Sequence, residues 1–431
     1  MAPKAATGYR RTDVGVIPED WDVQSLTSTL AEPPGYGINA PAVPFDASLP
    51  TYIRITDIGK DGRFRPAPQV SVKVNGAHAA RFLLRPGDLV FARTGASVGK
   101  SYLYDRRDGT LVFAGFLIRI APDPSRLRPE FISYYAQTQR YWDWVADNSA
   151  RSGQPGVNAK EYGALPVPVP SVPEQRAIAT VLSDADELIE SLEALIAKKR
   201  DIKQAAMQEL LTGRTRLPGF GGEWQAVHAG DLGRFGSGSG FPIRYQGQAQ
   251  GDFPFFKVSD MNRDGNDVLL KKSANYITDH TRQLLGAVAF PPESIVFAKV
   301  GAAVFLERKR ILAQPSCLDN NMAAFVLTHR RTDSSFVYHL LSTVRFSALA
   351  STTALPSLNG VALSSIRLPL PPLPEQRAIA AVLSDMDAEI AALERRLDKT
   401  RAIKQGMMQQ LLTGAIRLPI PDTPPHESAE P

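Results

Sequence analysis

The segment at 173–218, PEQRAIATVLSDADELIESLEALIAKKRDIKQAAMQELLTGRTRLP, returns at 374–419 as PEQRAIAAVLSDMDAEIAALERRLDKTRAIKQGMMQQLLTGAIRLP, without a gap and at a constant offset of 201 residues. Roughly 60 per cent of its positions are identical, and an internal repeat of this kind constrains the architecture before any local pattern does. A period of 201 residues is too long for a solenoid. It requires a duplicated domain joined to a duplicated helix, in the order domain, helix, domain, helix.

Each copy of the segment reads as a long helix. Pro173 and Pro374 suit the first helical turn, and Glu174 and Glu375 put a carboxylate near the positive end of the helix dipole. Gly213 and Gly414 follow LLT, where a left-handed C-terminal residue is expected. The shared apolar positions are Leu182 and Leu383, Ala185 and Met386, Ile189 and Ile390, Leu192 and Leu393, Ile196 and Leu397. Their alternating steps of three and four are those of a coiled-coil seam. After a phase slip near Lys199 and Thr400, Ile202 and Ile403, Ala206 and Met407, and Leu210 and Leu411 continue one face. Ser183-Asp184 and Ser384-Asp385 are candidate caps, so a short helix followed by a longer one competes with a single rod. At 1.5 Å per residue, Asp184 to Leu211 spans roughly 40 Å and the whole segment roughly 60 Å. A face this narrow and this long is expected to pack on its other copy, antiparallel. The competing arrangement lays each helix on its own domain.

A chain of 431 residues has room for two or three domains with real cores. Hydrophobic content of 43% and charged content of 22% are those of a globular protein. No run of 18 apolar residues suggests a membrane span, and the N-terminus lacks a secretory apolar stretch, so the cytoplasm is the expected location. Cys317 is the only cysteine, which excludes an internal disulfide and a cysteine-rich zinc site. A net charge of +5 permits a polyanionic partner without demanding one. The expected division is a flexible start at 1–15, one domain at 16–172, a helix at 173–216, a second domain at 217–373, a second helix at 374–417 and a disordered tail at 418–431.

The two domains share landmarks. Trp21 matches Trp224. YIRITDI at 52–58 matches FFKVSDM at 255–261, read as a strand with a basic residue and then an Asp. DLVFARTG at 88–95 matches SIVFAKVG at 294–301, a buried strand, a basic residue and a turn glycine. QPGVN at 154–158 matches LPSLN at 355–359. Each domain closes on a proline-alternating strand, LPVPVP or LPLPPLP, which must lie at an edge. Helical stretches are expected late in each domain, at 129–146 and 335–350. The fold class is therefore α+β: two similar domains of mostly antiparallel sheet with a few helices, separated by two long antiparallel coiled-coil helices.

Catalytic signatures are weak. GASVGKS at 95–101 ends like a phosphate-binding loop, but three residues separate its glycines where four are needed, and its second-domain counterpart lacks the GK. The sequence around Gly236 to Gly240 does not fit a dinucleotide fingerprint, and no HExxH is present. His78, His228, His280 and His339 read as surface groups or satisfied core groups. The basic residues are more informative. Arg54 and Lys257 occupy matched positions, as do Arg93 and Lys299. With Lys100, Lys160 and Arg263 they suit phosphate contacts, while Ser152, Gln154, Asn158, Thr353 and Asn359 suit base edges. Asn158 and Asn359 read equally well as turn residues.

GVIPEDW at 15–21, YIRITDI at 52–58, SGQPGVN at 152–158 and the two PEQRAIA…LLTG helices together resemble the specificity subunits of type I restriction–modification systems. The resemblance spans nearly the whole chain beyond residue 10. It implies that each domain is a target recognition domain reading half of a split double-stranded DNA site. It implies that the paired helices, through Leu182, Ile189, Leu192, Ile196, Leu383, Ile390, Leu393 and Leu397, set the gap and dock two methyltransferase subunits. This chain would then bind no metal or cofactor and have no membrane role. S-adenosylmethionine belongs on the methyltransferases, and ATP and Mg²⁺ on two restriction subunits where the system cleaves. The termini are expected close together. Leu355-Pro-Ser in place of Gln-Pro-Gly is a departure in the second domain. A nucleotide-binding enzyme using residues 95–101, and a coiled-coil scaffold with no DNA role, are the rival readings.

Overall fold

The computed structural model describes residues 8–74, 79–150, 154–328, 330–351 and 356–419. The chain divides into two compact units, Met1–Ser191 with Asp398–Pro431, and Leu192–Leu397. Each unit holds one globular domain, the N-terminal part of the helix that follows it, and the C-terminal part of the other long helix.

The long helices are Val172–Leu210 and Leu373–Leu411, of 39 residues each and so about 60 Å long. Neither breaks at its Ser-Asp pair. Leu182 and Leu383, one residue earlier, are fully buried, and a new start there would give up that burial. Gly213 and Gly414 follow the helix ends at φ of 71° and 69°, a backbone that other residues adopt only with strain.

Within each unit the two helix parts pair antiparallel. In the first unit Lys404 Nζ lies 2.7 Å from Asp186 Oδ1, and Ile178 and Leu182 share a core with Leu411 and Leu412. In the second, Lys203 pairs with Asp387 and Lys199 with Glu389, while Met207, Leu210 and Leu211 share a core with Ile379, Ala380 and Leu383. Leu182, Ile189, Leu192, Ile196, Leu383, Ile390 and Leu397 are buried as the seam requires, and Leu393 is half-buried.

The phase slip expected from sequence does not occur. Ile202 and Ile403 are 45% and 49% exposed. The inward positions keep a seven-residue step, 182, 189, 196, 203, 210 and 383, 390, 397, 404, 411, which runs through Lys203 and Lys404. These lysines stay in the seam because each finds an aspartate on the other helix, Asp387 and Asp186.

In the first unit, strands Leu30–Tyr36, Leu117–Pro122, Leu89–Ala92 and Ser101–Leu103 form one antiparallel sheet in that order. A second sheet joins Leu111–Phe113, Thr51–Ile53, Val70–Val72 and Ala42–Pro44, with one parallel pair. In the second unit the sheet order Gly233–Ser237, Met322–Leu327, Ile295–Ala298, Lys309–Leu312 repeats the first, and Leu269–Leu270 adds a parallel edge. Helices Pro129–Tyr135 and Ser334–Ser342 cover these sheets through Phe131 and Phe336. The run at 52–58 is strand only as far as Ile53, then a single 3-10 turn at Ile55–Asp57. The proline strands Pro166–Val169 and Arg367–Leu370 each pair with one short strand, Asp22–Ser25 and Gln225–His228, as edge positions demand. The expected flexible start is partly ordered: Tyr9–Thr12 forms a hairpin with Gly15–Pro18.

The start of each long helix is tied down by a buried carboxylate. Glu174, 1% exposed, accepts a hydrogen bond from Trp21 Nε1 at 3.1 Å and pairs with Arg417, which also grips Asp20 at 2.9 Å. Glu375 accepts from Trp224 Nε1 at 3.3 Å and pairs with Arg216 at 2.7 Å. In the first unit this places the chain after the last helix beside the N-terminal hairpin, and Tyr9 Oη donates to Gly414 O at 3.0 Å.

Candidate nucleic-acid interface

The matched basic residues Arg93 and Lys299 stand at the ends of two fully buried strands, Leu89–Ala92 and Ile295–Ala298. The chain beyond each is held by the loop before a short helix. Val157 N donates to Arg93 O at 2.9 Å and Gly95 N to Pro155 O at 3.0 Å. Leu358 N donates to Lys299 O at 2.9 Å and Gly301 N to Pro356 O at 2.8 Å. A hairpin turn closes the other side, with Arg93 N donating to Phe116 O at 3.0 Å and Lys299 N to Asn321 O at 2.8 Å. The same backbone frame is therefore built twice.

The side chains in the frame differ. Gly37 and Gly238 occupy equivalent close approaches, where a Cβ would lie 2.2 Å from Ala114 O and 1.9 Å from Asp319 O. The residues before them are Tyr36 and Ser237. In the first domain the Arg93 guanidinium lies over the Tyr36 ring, 5.0 Å from its centroid. In the second, Lys299 Nζ donates to Ser237 Oγ at 2.8 Å. Tyr36, Arg93, Thr94, Gly156, Val157 and Asn158 line an open cavity of about 230 Å³. Tyr36 is 44% exposed and Phe116 56%. Gly95, at φ 70°, brings the loop so close that an added Cβ would meet Gln154 Nε2 at 3.0 Å.

Arg93, Gln154 and Asn158 thus come together, with Lys160 exposed on the short helix Ala159–Gly163. Lys299 and Asn359 come together in the same way. Asn158 and Asn359 are helix caps: Asn158 Oδ1 accepts from Glu161 N at 2.9 Å, and Asn359 Oδ1 from Ala362 N at 2.7 Å. Ser152, Thr353 and His78 lie outside the described residues.

The other basic candidates sit elsewhere, on turns. Arg54 pairs with buried Asp57 at 2.8 Å and donates to Pro68 O at 3.1 Å. Lys257 Nζ donates to Gln246 Oε1 at 3.0 Å, and Lys100 Nζ to Ile58 O at 3.0 Å. Arg263 lies 3.7 Å from buried Asp260. Sequence reasoning missed Tyr36, Phe116, Ser237 and Asn321. The signal that finds Tyr36 and Ser237 is the glycine after each, in GYGIN and GSGSG.

The loop at 95–101 has no phosphate cradle. It runs through one 3-10 turn into strand Ser101–Leu103, with no helix N-terminus to meet an anion, and Lys100 turns inward to Ile58. Among the described residues no three His, Cys, Asp or Glu side chains are grouped to hold a metal, and no helix is long and apolar enough to cross a membrane. His228 and His280 are exposed. His339 is not the satisfied core group expected of it: its buried Nδ1 has no hydrogen-bond partner and lies 3.9 Å from Asp387 Oδ2.

Comparison with known proteins agrees with this duplicated layout. The chain is 24% identical, over 95% of its length and 97% of the relative's, to the putative type I restriction enzyme MjaX specificity subunit of Methanocaldococcus jannaschii. It is 22% identical to the EcoR124I/EcoR124II specificity subunit of Escherichia coli, over 68% of this chain and 69% of that one. Its fold resembles the crystal structure of a type I restriction–modification S subunit from M. genitalium, with a TM-score of 0.61 at 16% identity, covering 94% of this chain and 97% of that one. Residues 51–198 and 221–401, one stretch for each domain with part of its helix, match the type I restriction modification DNA specificity domain, and the chain belongs to that family.

Proposed function

We propose that this chain is the non-catalytic DNA-recognition subunit of a type I restriction–modification enzyme, with each domain reading one half of an asymmetric, bipartite duplex target. The observation that carries this reading is the twice-built frame at Arg93 and Lys299, identical in its backbone bonds and different in its side chains. Two readers on one plan with unlike chemistry suit two unlike half-sites. The DNA-facing set is Arg93, Gln154, Asn158 and Lys160 in the first domain, with Lys299 and Asn359 in the second. Ser152 and Thr353 belong to the same loops by sequence. Arg54, Lys100, Lys257 and Arg263 are held on turns of their own, by Asp57, Ile58 O, Gln246 and Asp260.

The long helices act as the spacer and as the dock for two methyltransferase subunits. Helices of about 60 Å, against roughly 34 Å per DNA turn, suit a gap of roughly 5–9 unspecified base pairs. Leu195 and Ile202, exposed seven residues apart on the first helix within the second unit, give a docking partner apolar side chains. The methyltransferases bind S-adenosylmethionine and methylate adenine at N6. Restriction subunits, where present, bring ATP- and Mg²⁺-dependent translocation and cleavage. Working on cellular DNA places the complex in the cytoplasm.

Co-expression with a methyltransferase subunit of a type I system that assembles with this chain, followed by methylome sequencing, tests the proposal. The expected product is N6-methyladenine in a split, asymmetric motif. A continuous palindrome, or no methylation by an assembled complex, would overturn it.

A further inference from the structure

We infer that Arg93 reads a guanine in the first half-site, and that Tyr36 holds it in readiness to do so. This rests on the DNA-reading assignment above and adds to it the base, the reader and the reader's support.

Arg93 is half-buried, and its guanidinium carbon lies over the Tyr36 ring, 5.0 Å from the centroid. A guanidinium held over a ring face is restrained in position while its N–H groups stay available. Tyr36 is itself anchored, because its hydroxyl accepts a hydrogen bond from Ala159 N at 3.1 Å. Among the described residues no carboxylate pairs with Arg93, whereas Arg54, Arg63, Arg65, Arg107, Arg119 and Arg128 of the same domain each pair with an Asp or Glu. A partly desolvated cation without a counter-charge is costly to keep, and the cost falls when an acceptor arrives. The open space beside it, bounded by Thr94, Gly156 and Asn158, gives that acceptor room.

The shape of the donor selects the acceptor. A planar fork matches the paired O6 and N7 acceptors of guanine in the major groove, while adenine presents a donor at one of those two places. A phosphate would also take the fork, and the test separates the two. In the second domain the equivalent residue is Lys299, a point charge without the planar fork and tied to Ser237, so the two readers make unlike contacts at this place.

The test uses the full chain co-expressed with its methyltransferase, with methylation mapped by sequencing. The wild-type motif is expected to carry a G·C pair at one position of one half-site. Arg93→Ala should relax that position alone, lowering discrimination there by roughly 5- to 150-fold. Arg93→Lys should relax it less, Tyr36→Ala should relax it in part, and Tyr36→Phe, which keeps the ring and loses only the anchor to Ala159 N, should relax it less than Tyr36→Ala. Lys299→Ala should alter only the other half-site. If the Arg93→Ala complex does not assemble, Arg93→Lys carries the test. Unchanged discrimination in both assembled Arg93 variants would overturn the inference. So would a uniform loss of affinity across all sequences with a salt slope smaller by about one, which marks a phosphate contact. A wild-type complex with no bipartite motif would instead remove the DNA-reading assignment beneath it.

Discussion

A basic residue at matched positions of two copies is ambiguous in sequence, because a phosphate contact and a structural ion pair both keep it. Neighbouring burial separates the two. Asp57 is buried, and its carboxylate takes the Arg54 backbone N–H at 2.9 Å as well as the guanidinium. Asp260 takes the Lys257 N–H in the same way at 2.8 Å. Removing the guanidinium leaves a buried charge short of partners, so Arg54→Ala should lower stability by about 1–3 kcal/mol. Urea unfolding of the first domain measures this. Unchanged stability with a reduced salt slope for DNA binding would instead put Arg54 on a phosphate. Gly95→Ala should also cost about 1 kcal/mol, since its φ is 70° and the exposed Gln154 amide, 3.0 Å from the added Cβ, would have to move aside. Its fingerprint is a lowered thermal midpoint together with a disturbed first half-site and an intact second one.

At the scale of elements, the long helices were legible and their contacts only partly so. The glycine ends, the seven-residue seam and the edge character of the proline strands follow from residue types at fixed spacing, which sequence displays directly. The seam's charged members do not. Lys203 and Lys404 look like a break in the apolar pattern until Asp387 and Asp186 are seen opposite them. The Tyr36 and Ser237 partnerships were illegible for a related reason: both are single positions far along the chain from the basic residues they meet. The helix parts also differ between units in one testable way. In the first unit Tyr134 Oη donates to Asp186 Oδ2 at 2.9 Å. In the second the corresponding neighbour is His339, and Asp387 Oδ2 is buried without a hydrogen bond. Burial pushes the His339 pKa down to about 4, against the opposing pull of Asp387. The folded state therefore binds fewer protons than the unfolded state between pH of about 6.5 and about 4. Stability is full above about 6.5 and falls as the pH drops through that window, by about 3 kcal/mol in all. His339→Gln should remove this part of the slope. Urea midpoints for the second unit at pH 7.5 and 4.5, compared between wild type and variant, decide it.

For the whole molecule the duplication sets more than the order of parts. Each domain is completed by the end of the long helix other than the one that follows it. The first domain's core includes Leu411 and Leu412, and its Glu174 takes Arg417; the second domain's core includes Leu210 and Leu211, and its Glu375 takes Arg216. Deleting residues 398–431 therefore removes nothing from the second unit, which ends at Leu397, but takes two buried leucines, Lys404 and Arg417 from the first. Each lost leucine costs about 2–5 kcal/mol, and an unpaired buried Glu174 adds about 3–5 kcal/mol. Together these rival the whole stability of a domain, about 5–15 kcal/mol. Hydrogen exchange of the truncated chain should show strands Leu89–Ala92 and Leu117–Pro122 losing protection while Ile295–Ala298 and Met322–Leu327 keep theirs. Full protection in the first domain would mean that its core closes without the distant helix, and the interlocking of repeat and fold argued from Glu174 and Glu375 would not hold.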